Sequence, residues 1–226
     1  MDCCVKAGGG VRPPLLLCVD WAIPLPQRSS RRYNERMLLW REKVPADWLP
    51  RVLDNLPTVL VDHAHLERKA ATTAINLEKY RDLFPRVDEL NAIAIEELQH
   101  FQLVLALLKR RGIPFGQPFP SPWITGLMRS VRGGTRQQVI DHLICCALIE
   151  GRSCEKFQML AAALIERDPE LAQFYASLVE SEGNHYATYL LMAREIDLTE
   201  TERRMDFYLD LDAKLILERH GEPILH

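Results

Sequence analysis

The chain has 226 residues, of which 47% are hydrophobic and 26% are charged, and its formal net charge is −3. These values are ordinary for a globular protein with one sizeable domain, and they exclude collagen-like and highly charged disordered chains. Since the sequence has no run of 18 or more apolar residues, we expect no membrane span and a cytoplasmic location.

The six cysteines indicate neither a disulfide framework nor a zinc ribbon, because none forms a Cys-x-x-Cys motif and two pairs are adjacent. We expect three of them to be small buried hydrophobes in a reducing compartment, namely Cys145, Cys146 and Cys154.

Residues 1–44 show no sustained hydrophobic period and are predicted to form an irregular extension. The extension carries a basic run that fits a solvated arm, and the alternative is an arm that contacts phosphate. The run consists of Arg28, Arg31, Arg32 and Arg36.

A short helix is predicted after Pro45, and apolar residues that recur every three to four positions then predict long helices. The first long helix begins near Pro57, a residue that suits the first helical turn, and runs to about Arg81. The second begins after Pro85 and ends at Arg111-Gly112, where a cation followed by glycine is a typical stop signal.

Residues 112–135 contain several prolines and predict a long connection with a short helix from Trp123 to Arg132. Such a connection is long enough to cross from one end of a bundle to the other. Thr135 with Gln138 resembles a capping box that opens the third long helix.

Asp168 followed by Pro169 is suited to cap and open the fourth long helix. Thr199 with Glu202 resembles another capping box, which predicts a final helix that ends at about Arg219.

Each long helix carries a glutamate near the middle of its apolar face. In two helices this glutamate opens a Glu-x-x-His motif, which places a carboxylate and an imidazole one turn apart on the same side. The other two helices contribute one glutamate each. The candidate metal ligands are therefore Glu67, Glu97, His100, Glu150, Glu182 and His185.

Bundles that hold two iron or manganese ions use this combination of ligands. Four carboxylates in an apolar core need cations, because desolvation and mutual repulsion raise their pKa values. Two divalent ions supply that charge, and oxygen-rich ligation with one imidazole per metal favours iron or manganese. The alternative is that these glutamates only line a wet groove.

We therefore predict an all-α fold, a ferritin-like four-helix bundle with a long crossover between helices 2 and 3. A short N-terminal helix and a C-terminal helix are added to it. The domain covers residues 45–220, and residues 221–226 are predicted to be a tail.

Several segments resemble the sequence motifs of one family. They are Glu67-Arg68-Lys69-Ala70-Ala71, Glu96-Glu97-Leu98-Gln99-His100-Phe101, Arg111-Gly112-Ile113, Ile149-Glu150-Gly151-Arg152-Ser153-Cys154-Glu155-Lys156-Phe157, and Phe174-Tyr175 through Ser181-Glu182 to His185. The family is the tRNA 2-methylthio-N6-isopentenyladenosine hydroxylases, which are non-haem di-iron monooxygenases on a ferritin-like bundle. The resemblance covers roughly residues 45 to 220.

The resemblance implies that the six candidate ligands hold two iron ions and that O2 is the co-substrate. It also implies an external electron donor, and hydroxylation of the isopentenyl group of a hypermodified adenosine beside the tRNA anticodon. An apolar pocket near the metals would suit that group. The alternative is a ferritin-like di-iron protein of another kind, either an iron-storage or peroxidase protein or a hydroxylase of another apolar substrate.

Six basic residues near the ends of the crossover are candidates for contact with tRNA phosphate, although helix ends often carry ordinary solvated cations. They are Lys109, Arg110, Arg111, Arg129, Arg132 and Arg136.

Three positions depart from the pattern expected of the family, which has Ala where this chain has Gly151 and Ala-Arg where it has Gly183-Asn184. Glycine within a helix costs about 1 kcal/mol relative to alanine, so either close packing or extra room beside the metals must account for it. The arginine missing at position 184 removes a potential phosphate contact.

His63, one turn before Glu67, is either a core histidine or a hydrogen-bond partner of that candidate ligand.

Overall fold

The computed structural model describes residues 40–218 and 223–226. Most of the predicted extension, including its arginine run, lies outside these residues. All regular structure in the described part is helical, and none of its helices has the length and apolarity needed to cross a bilayer.

The described residues form seven α-helices and one 3-10 helix. They are α1 (Trp48–Leu53), α2 (Leu56–Leu77), the 3-10 helix (Arg81–Arg86), α3 (Val87–Arg110), α4 (Pro122–Arg129), α5 (Thr135–Leu164), α6 (Pro169–Ile196) and α7 (Leu198–Ile216). The predicted all-α class is confirmed. The helix α2 ends before the predicted Arg81, because Tyr80 takes an extended backbone and the 3-10 helix follows it.

Two helical hairpins make up the bundle, α2 with α3 and α5 with α6. Each pair buries the apolar stripe that predicted it, and the stripes meet in one core that includes Leu60, Val104, Phe157 and Leu171. The long crossover from α3 to α5 carries α4, and α7 packs on α4, α5 and α6. The three cysteines expected to be buried are buried and have free thiols.

The helix caps agree only in part with prediction. Asp168 caps α6 as expected, since its side chain accepts a hydrogen bond from the Leu171 N–H at 3.1 Å. The helix α5 is preceded by Gly134, whose φ of 93° favours glycine, so Thr135 already lies inside the helix and forms no capping box. The predicted Thr199 cap is also wrong, because Asp197, two residues earlier, caps α7.

Buried ion pairs attach the outer helices to the bundle. Asp212 on α7 accepts hydrogen bonds from Arg152 on α5 and from Trp123 Nε1 on α4, the latter at 3.0 Å. Arg204 on α7 similarly donates to Asp141 on α5 at 2.8 Å. Removing one member of such a pair leaves an uncompensated buried charge, so these contacts fix where α4 and α7 lie.

Residues 223–226 were expected to be part of a tail, but residues 224–226 are buried in the domain. Leu225 joins the main apolar core, and its N–H donates to Asp62 Oδ2 at 2.9 Å. Burial of the leucine side chain and satisfaction of its backbone groups explain why this segment docks.

Candidate metal centre

The four bundle helices bring the six candidate ligands together in the core. Glu67 comes from α2, the first Glu-x-x-His motif from α3, Glu150 from α5 and the second motif from α6. None of the six is more than 6% exposed. The one-turn spacing within each motif turns its carboxylate and imidazole toward the same point.

The six residues form two overlapping groups, and within each group one potential ligand atom per residue lies within 4.8 Å of all the others. One group is Glu67, Glu97, His100 and Glu182; the other is Glu97, Glu150, Glu182 and His185. Glu97 and Glu182 belong to both. The side chains are therefore arranged for two adjacent cations with two shared carboxylates.

Both imidazoles direct Nδ1 into the cluster. His100 Nδ1 lies 3.6 Å from Glu97 Oε2 and 3.6 Å from Glu182 Oε1, and His185 Nδ1 lies 2.7 Å from Glu97 Oε1. Neither nitrogen has a hydrogen bond, and both Glu97 oxygens and Glu182 Oε1 also lack one although they are buried. Buried polar atoms without partners are costly, so this concentration of them in one place indicates a cation-binding site.

The other ring nitrogen of each imidazole, Nε2, is held by a hydrogen bond. His185 Nε2 donates to Glu96 Oε2 at 2.9 Å. The Ser181 hydroxyl donates its hydrogen bond to the Leu178 carbonyl. Its oxygen therefore accepts a long hydrogen bond from His100 Nε2, at 3.4 Å. Because both Nε2 atoms act as donors, each imidazole in its neutral form would carry its lone pair on Nδ1, toward the cluster, as metal ligation requires.

His63 acts on the cluster from α2. It is fully buried, and its Nε2 is hydrogen-bonded to Glu67 Oε1. Its ring lies nearly parallel to that of Tyr175, with centroids 5.6 Å apart. Of the two roles considered for His63, the contact therefore supports that of a hydrogen-bond partner that orients Glu67.

Without cations, protons must neutralise the cluster. Burial and the charges of Glu67 and Glu150 raise the pKa of Glu97 to about 8. Burial would lower the histidine pKa values, but the neighbouring carboxylates outweigh it and raise the pKa of His100 to about 10 and that of His185 to about 9. The cluster therefore holds positive charge strongly, which two divalent metals would provide more fully.

A cavity of about 210 Å³ adjoins the cluster, and we call it the inner cavity. Three candidate ligands, Glu67, Glu150 and Glu182, lie on its wall, while exposed Lys69 and Met128 lie at its mouth. Its remaining wall is mostly apolar and comes from α2, α4, α5, α6 and the 223–226 segment: Leu66, Ala70, Ile124, Cys146, Ile149, Phe157, Tyr189 and Leu225.

Most of the predicted phosphate-contacting residues already have partners within the protein. Arg110 pairs with Glu170, Arg111 with Asp168, and Arg132 with Asp141, while Arg136 donates to the Ile196 carbonyl. Lys109 and Arg129 are exposed and show no hydrogen bond or ion pair within residues 40–218 and 223–226. These two remain the better candidates from the predicted set.

Gly183 does not depend on close packing. A Cβ atom added there would meet only Cys154 Sγ, at 4.0 Å, which is an ordinary van der Waals contact. Of the two explanations for this glycine, extra room beside the metal ligands is therefore the better supported. Asn184 is exposed, so an arginine at that position could reach solvent.

Several residues around the centre were not identified from the sequence as contributors to it. Glu96 and Ser181 orient the two imidazoles, and His226 lies on the wall of the inner cavity. Glu96 directly precedes a candidate ligand, but its charge fits the solvated side of α3 equally well. His226 carries no local signal, because only the tertiary fold brings it to the cavity.

Comparison with known proteins supports the same assignment. Residues 32–226 match the family described as tRNA-(MS[2]IO[6]A)-hydroxylase (MiaE), so the match begins earlier than residue 45. A tRNA 2-(methylsulfanyl)-N(6)-isopentenyladenosine(37) hydroxylase from Pseudomonas putida is 39% identical over 184 residues, covering 80% of this chain and 88% of that protein. The protein of the same name from Salmonella typhimurium is 30% identical over 232 residues, covering 80% and 85%.

A solved structure shares the fold. It is a Synechococcus protein with aldehyde deformylating oxygenase activity, which is 31% identical to this chain. The two superpose with a TM-score of 0.76, covering 84% of this chain and 96% of the other. Taken with the family match over most of the sequence, these similarities show that the chain belongs to the tRNA-(MS[2]IO[6]A)-hydroxylase (MiaE) family.

Proposed function

We propose that the protein is an O2-dependent di-iron hydroxylase that acts on the isopentenyl group of 2-methylthio-N6-isopentenyladenosine beside the tRNA anticodon. One observation carries the proposal: two overlapping sets of buried Glu and His ligands border an apolar cavity that opens to the surface. The names of the relatives supply the substrate. We expect the activity in the cytoplasm, because the proposed substrate is a tRNA.

The residues of this chain fit two iron ions. Glu67 and His100 would serve one ion, Glu150 and His185 the other, and Glu97 and Glu182 both. Bound iron supplies the activation of O2 that hydroxylation of an aliphatic C–H bond requires.

The protein contributes positioning and exclusion of water. Hydrogen bonds from His185 to Glu96 and from His100 to Ser181 hold the imidazoles in their metal-binding orientation. The apolar wall of the inner cavity keeps bulk water from the reacting carbon and fits a prenyl chain. Since the candidate ligands are buried, the modified base would leave its stack to bring the prenyl group to the metals.

Charge at the cavity mouth supports a nucleic-acid substrate. Exposed Lys69 and Met128 both line the cavity, and Arg129 follows Met128 on the same short helix. Both cations are exposed, so either can contact the phosphates that flank a nucleotide inserted into the cavity. The balanced reaction consumes O2, two electrons and two protons for each hydroxyl group and water molecule formed, so a separate reductant must supply the electrons.

Iron binding tests the centre. Anaerobic loading should give two iron ions per chain in the wild type, whereas Glu97→Ala should lose both, because Glu97 belongs to both ligand groups. Glu89→Ala is the matched control, since Glu89 pairs with Arg86 near the start of the same helix. Less than about one iron per wild-type chain would reject the metal centre.

The substrate needs a separate test. Reduced, iron-loaded protein should convert prenylated tRNA with O2 to a nucleoside carrying one additional oxygen on the prenyl group, as measured by mass spectrometry after digestion. Unchanged nucleosides together with full iron content would reject the tRNA assignment but not the iron site.

A second candidate function follows from the solved structure. That protein has aldehyde deformylating oxygenase activity, and the apolar inner cavity could also hold an alkyl chain. Incubation with a long-chain aldehyde, reductant and O2 distinguishes the two. Formate release without oxidation of tRNA would favour the aldehyde reaction.

A further inference from the structure

Three polar side chains form a continuous hydrogen-bonded row beside the inner cavity. Lys156 Nζ lies 3.2 Å from His226 Nδ1, and His226 Nε2 lies 2.9 Å from Ser153 Oγ. Lys156 and His226 are no more than 5% exposed, and Ser153 is 7% exposed. Groups of this polarity are rarely buried together without a role, because burying them costs desolvation free energy.

The chemistry of the three groups fixes the direction of the hydrogen bonds. A lysine ammonium can only donate, so His226 Nδ1 accepts from Lys156. The neutral imidazole then carries its proton on Nε2 and donates it to Ser153 Oγ. The proton of the serine hydroxyl is left free to turn elsewhere. Every bond in the row therefore points from Lys156 toward Ser153.

The two ends of the row lie in different cavities. Lys156 and His226 line a second cavity, the outer cavity, whose rim includes exposed Asp47 and Glu218. His226 and Ser153 line the inner cavity together with Glu150, which lies one helical turn before Ser153. The row thus connects a solvent-facing cavity with the one that holds the candidate metal ligands.

Aromatic rings and backbone groups hold the row in place. The His226 ring lies nearly parallel to that of Trp123, with centroids 5.3 Å apart, and Lys156 Nζ lies 5.4 Å from the centre of the Trp48 ring. Lys156 also donates to the Leu225 carbonyl at 2.5 Å. These contacts leave the donor and acceptor atoms little freedom to separate.

The lysine is able to give up its proton. Burial and the neighbouring charge of Arg152 lower the pKa of Lys156 to about 7, against weaker opposing effects from Glu155, Asp212 and Asp62. It can therefore exchange a proton near neutral pH. Burial and Lys156 also lower the pKa of His226 well below its ordinary range, so a proton would pass through the imidazole without remaining there.

We propose that Lys156, His226 and Ser153 form a proton relay that carries protons from the outer cavity to the reaction in the inner cavity. The relay rests on the proposed function, which consumes two protons for each O2 reduced by two electrons from an external reductant and two from the C–H bond. Lys156 passes its proton to His226 Nδ1, the Nε2 proton passes to Ser153, and the serine hydroxyl delivers its own proton to the inner cavity. This leaves the imidazole proton on Nδ1, so rotation of the ring and exchange of that proton with water in the adjoining cavities must return it to Nε2 before the second proton is carried. Solvent in the outer cavity then reprotonates Lys156.

His226→Phe tests the relay while keeping an aromatic ring beside Trp123. Its matched control is His142→Phe, which removes a histidine hydrogen bond to Tyr80 on another part of the bundle. We expect both variants to keep two irons per chain. Only His226→Phe should lose hydroxylation, by about 100-fold, the usual order for a lost proton-transfer group. His226→Ala should regain part of its rate when imidazole is added, because the vacated space can admit that base.

A readout on the metal-free protein separates this proposal from the proposed function. In 15N NMR spectra, His226 should be neutral with its proton on Nε2, and Lys156→Met should shift the Nδ1 resonance. A proton on Nδ1, or an Nδ1 resonance unaffected by Lys156→Met, would overturn the relay even if wild-type protein hydroxylates tRNA.

If wild-type protein fails to hydroxylate tRNA, a rise in hydrogen peroxide released per O2 in His226→Phe, but not in His142→Phe, would still support the relay. Equal peroxide yields in these two variants would refute it.

Discussion

The stability of the metal-free protein should fall steeply with pH, because the ligand cluster holds protons that the unfolded chain releases. The pKa of His100 is raised to about 10 and that of His185 to about 9, whereas unfolded histidine titrates near pH 6.5. A raised histidine pKa contributes stability that is fully present below about pH 6.5 and is lost as the pH rises through the folded value. Glu97, with its pKa raised to about 8, acts in the same direction, since the unfolded carboxyl is already ionised.

The magnitude follows from the number of protons. Between pH 7 and pH 8.5 the folded, metal-free cluster holds about two more protons than the unfolded chain, shared among His100, His185 and Glu97. Each additional proton changes the free energy of unfolding by about 1.4 kcal/mol per pH unit. The metal-free protein should therefore lose about 3 kcal/mol of stability per pH unit in this range, a large part of the ~5–15 kcal/mol that is typical of a domain.

Urea unfolding at pH 7.0, 7.5, 8.0 and 8.5 measures this slope. Iron-loaded protein should show little of it, because the metals replace the protons. Glu182→Gln should weaken the slope by removing one carboxylate, whereas His142→Gln should keep it, since His142 bonds Tyr80 outside the cluster. A metal-free wild type whose stability stays level or rises over this range would refute the electrostatic description of the site.

Three further substitutions test other parts of the structure. Gly183→Ala should raise the free energy of unfolding by about 1 kcal/mol, because alanine favours a helix over glycine and the new methyl group meets only Cys154 Sγ, at 4.0 Å. Urea unfolding measures this change, and a lower stability would show that the helix needs glycine at this position. Gly126→Ala should instead lower the free energy of unfolding by about 1–3 kcal/mol in the same assay, because its Cβ would lie 2.7 Å from the Leu215 side chain on α7. An unchanged unfolding midpoint would contradict this close approach. Glu96→Gln should weaken iron binding by about 10- to 100-fold by loosening the hold on His185, and iron titration with unchanged affinity would exclude that role.

The sequence predicted the bundle and the placement of its six candidate ligands because both follow from helical periodicity. A glutamate in an apolar stripe must face the core, and hairpins of similar length bring such residues to one level. Glu97 and Glu182 therefore could be placed without coordinates, although their shared membership in both ligand groups required the structure.

Features that depend on chain segments meeting in three dimensions could not be predicted. His226 and Leu225 lie in a short segment without a helical period, so nothing local distinguishes them from a tail. Arg152 and Asp212 look like surface charges in sequence, and only their contact explains their burial. Helix starts were also missed where several polar residues compete, as at Asp197 and Thr199, since neighbouring oxygens can each serve as a cap.

The candidate ligands and part of the inner cavity wall come from different parts of the chain, and this separation has an evolutionary consequence. Every candidate metal ligand belongs to one of the four bundle helices, whereas part of the opposite wall comes from the crossover helix α4 and from Leu225 and His226. Substitutions in α4 or at Leu225 can therefore change the shape of the cavity without touching a candidate ligand, whereas His226 also belongs to the proposed relay. A change of substrate preference can thus arise in these peripheral segments alone, while the four bundle helices and their six candidate ligands stay as they are.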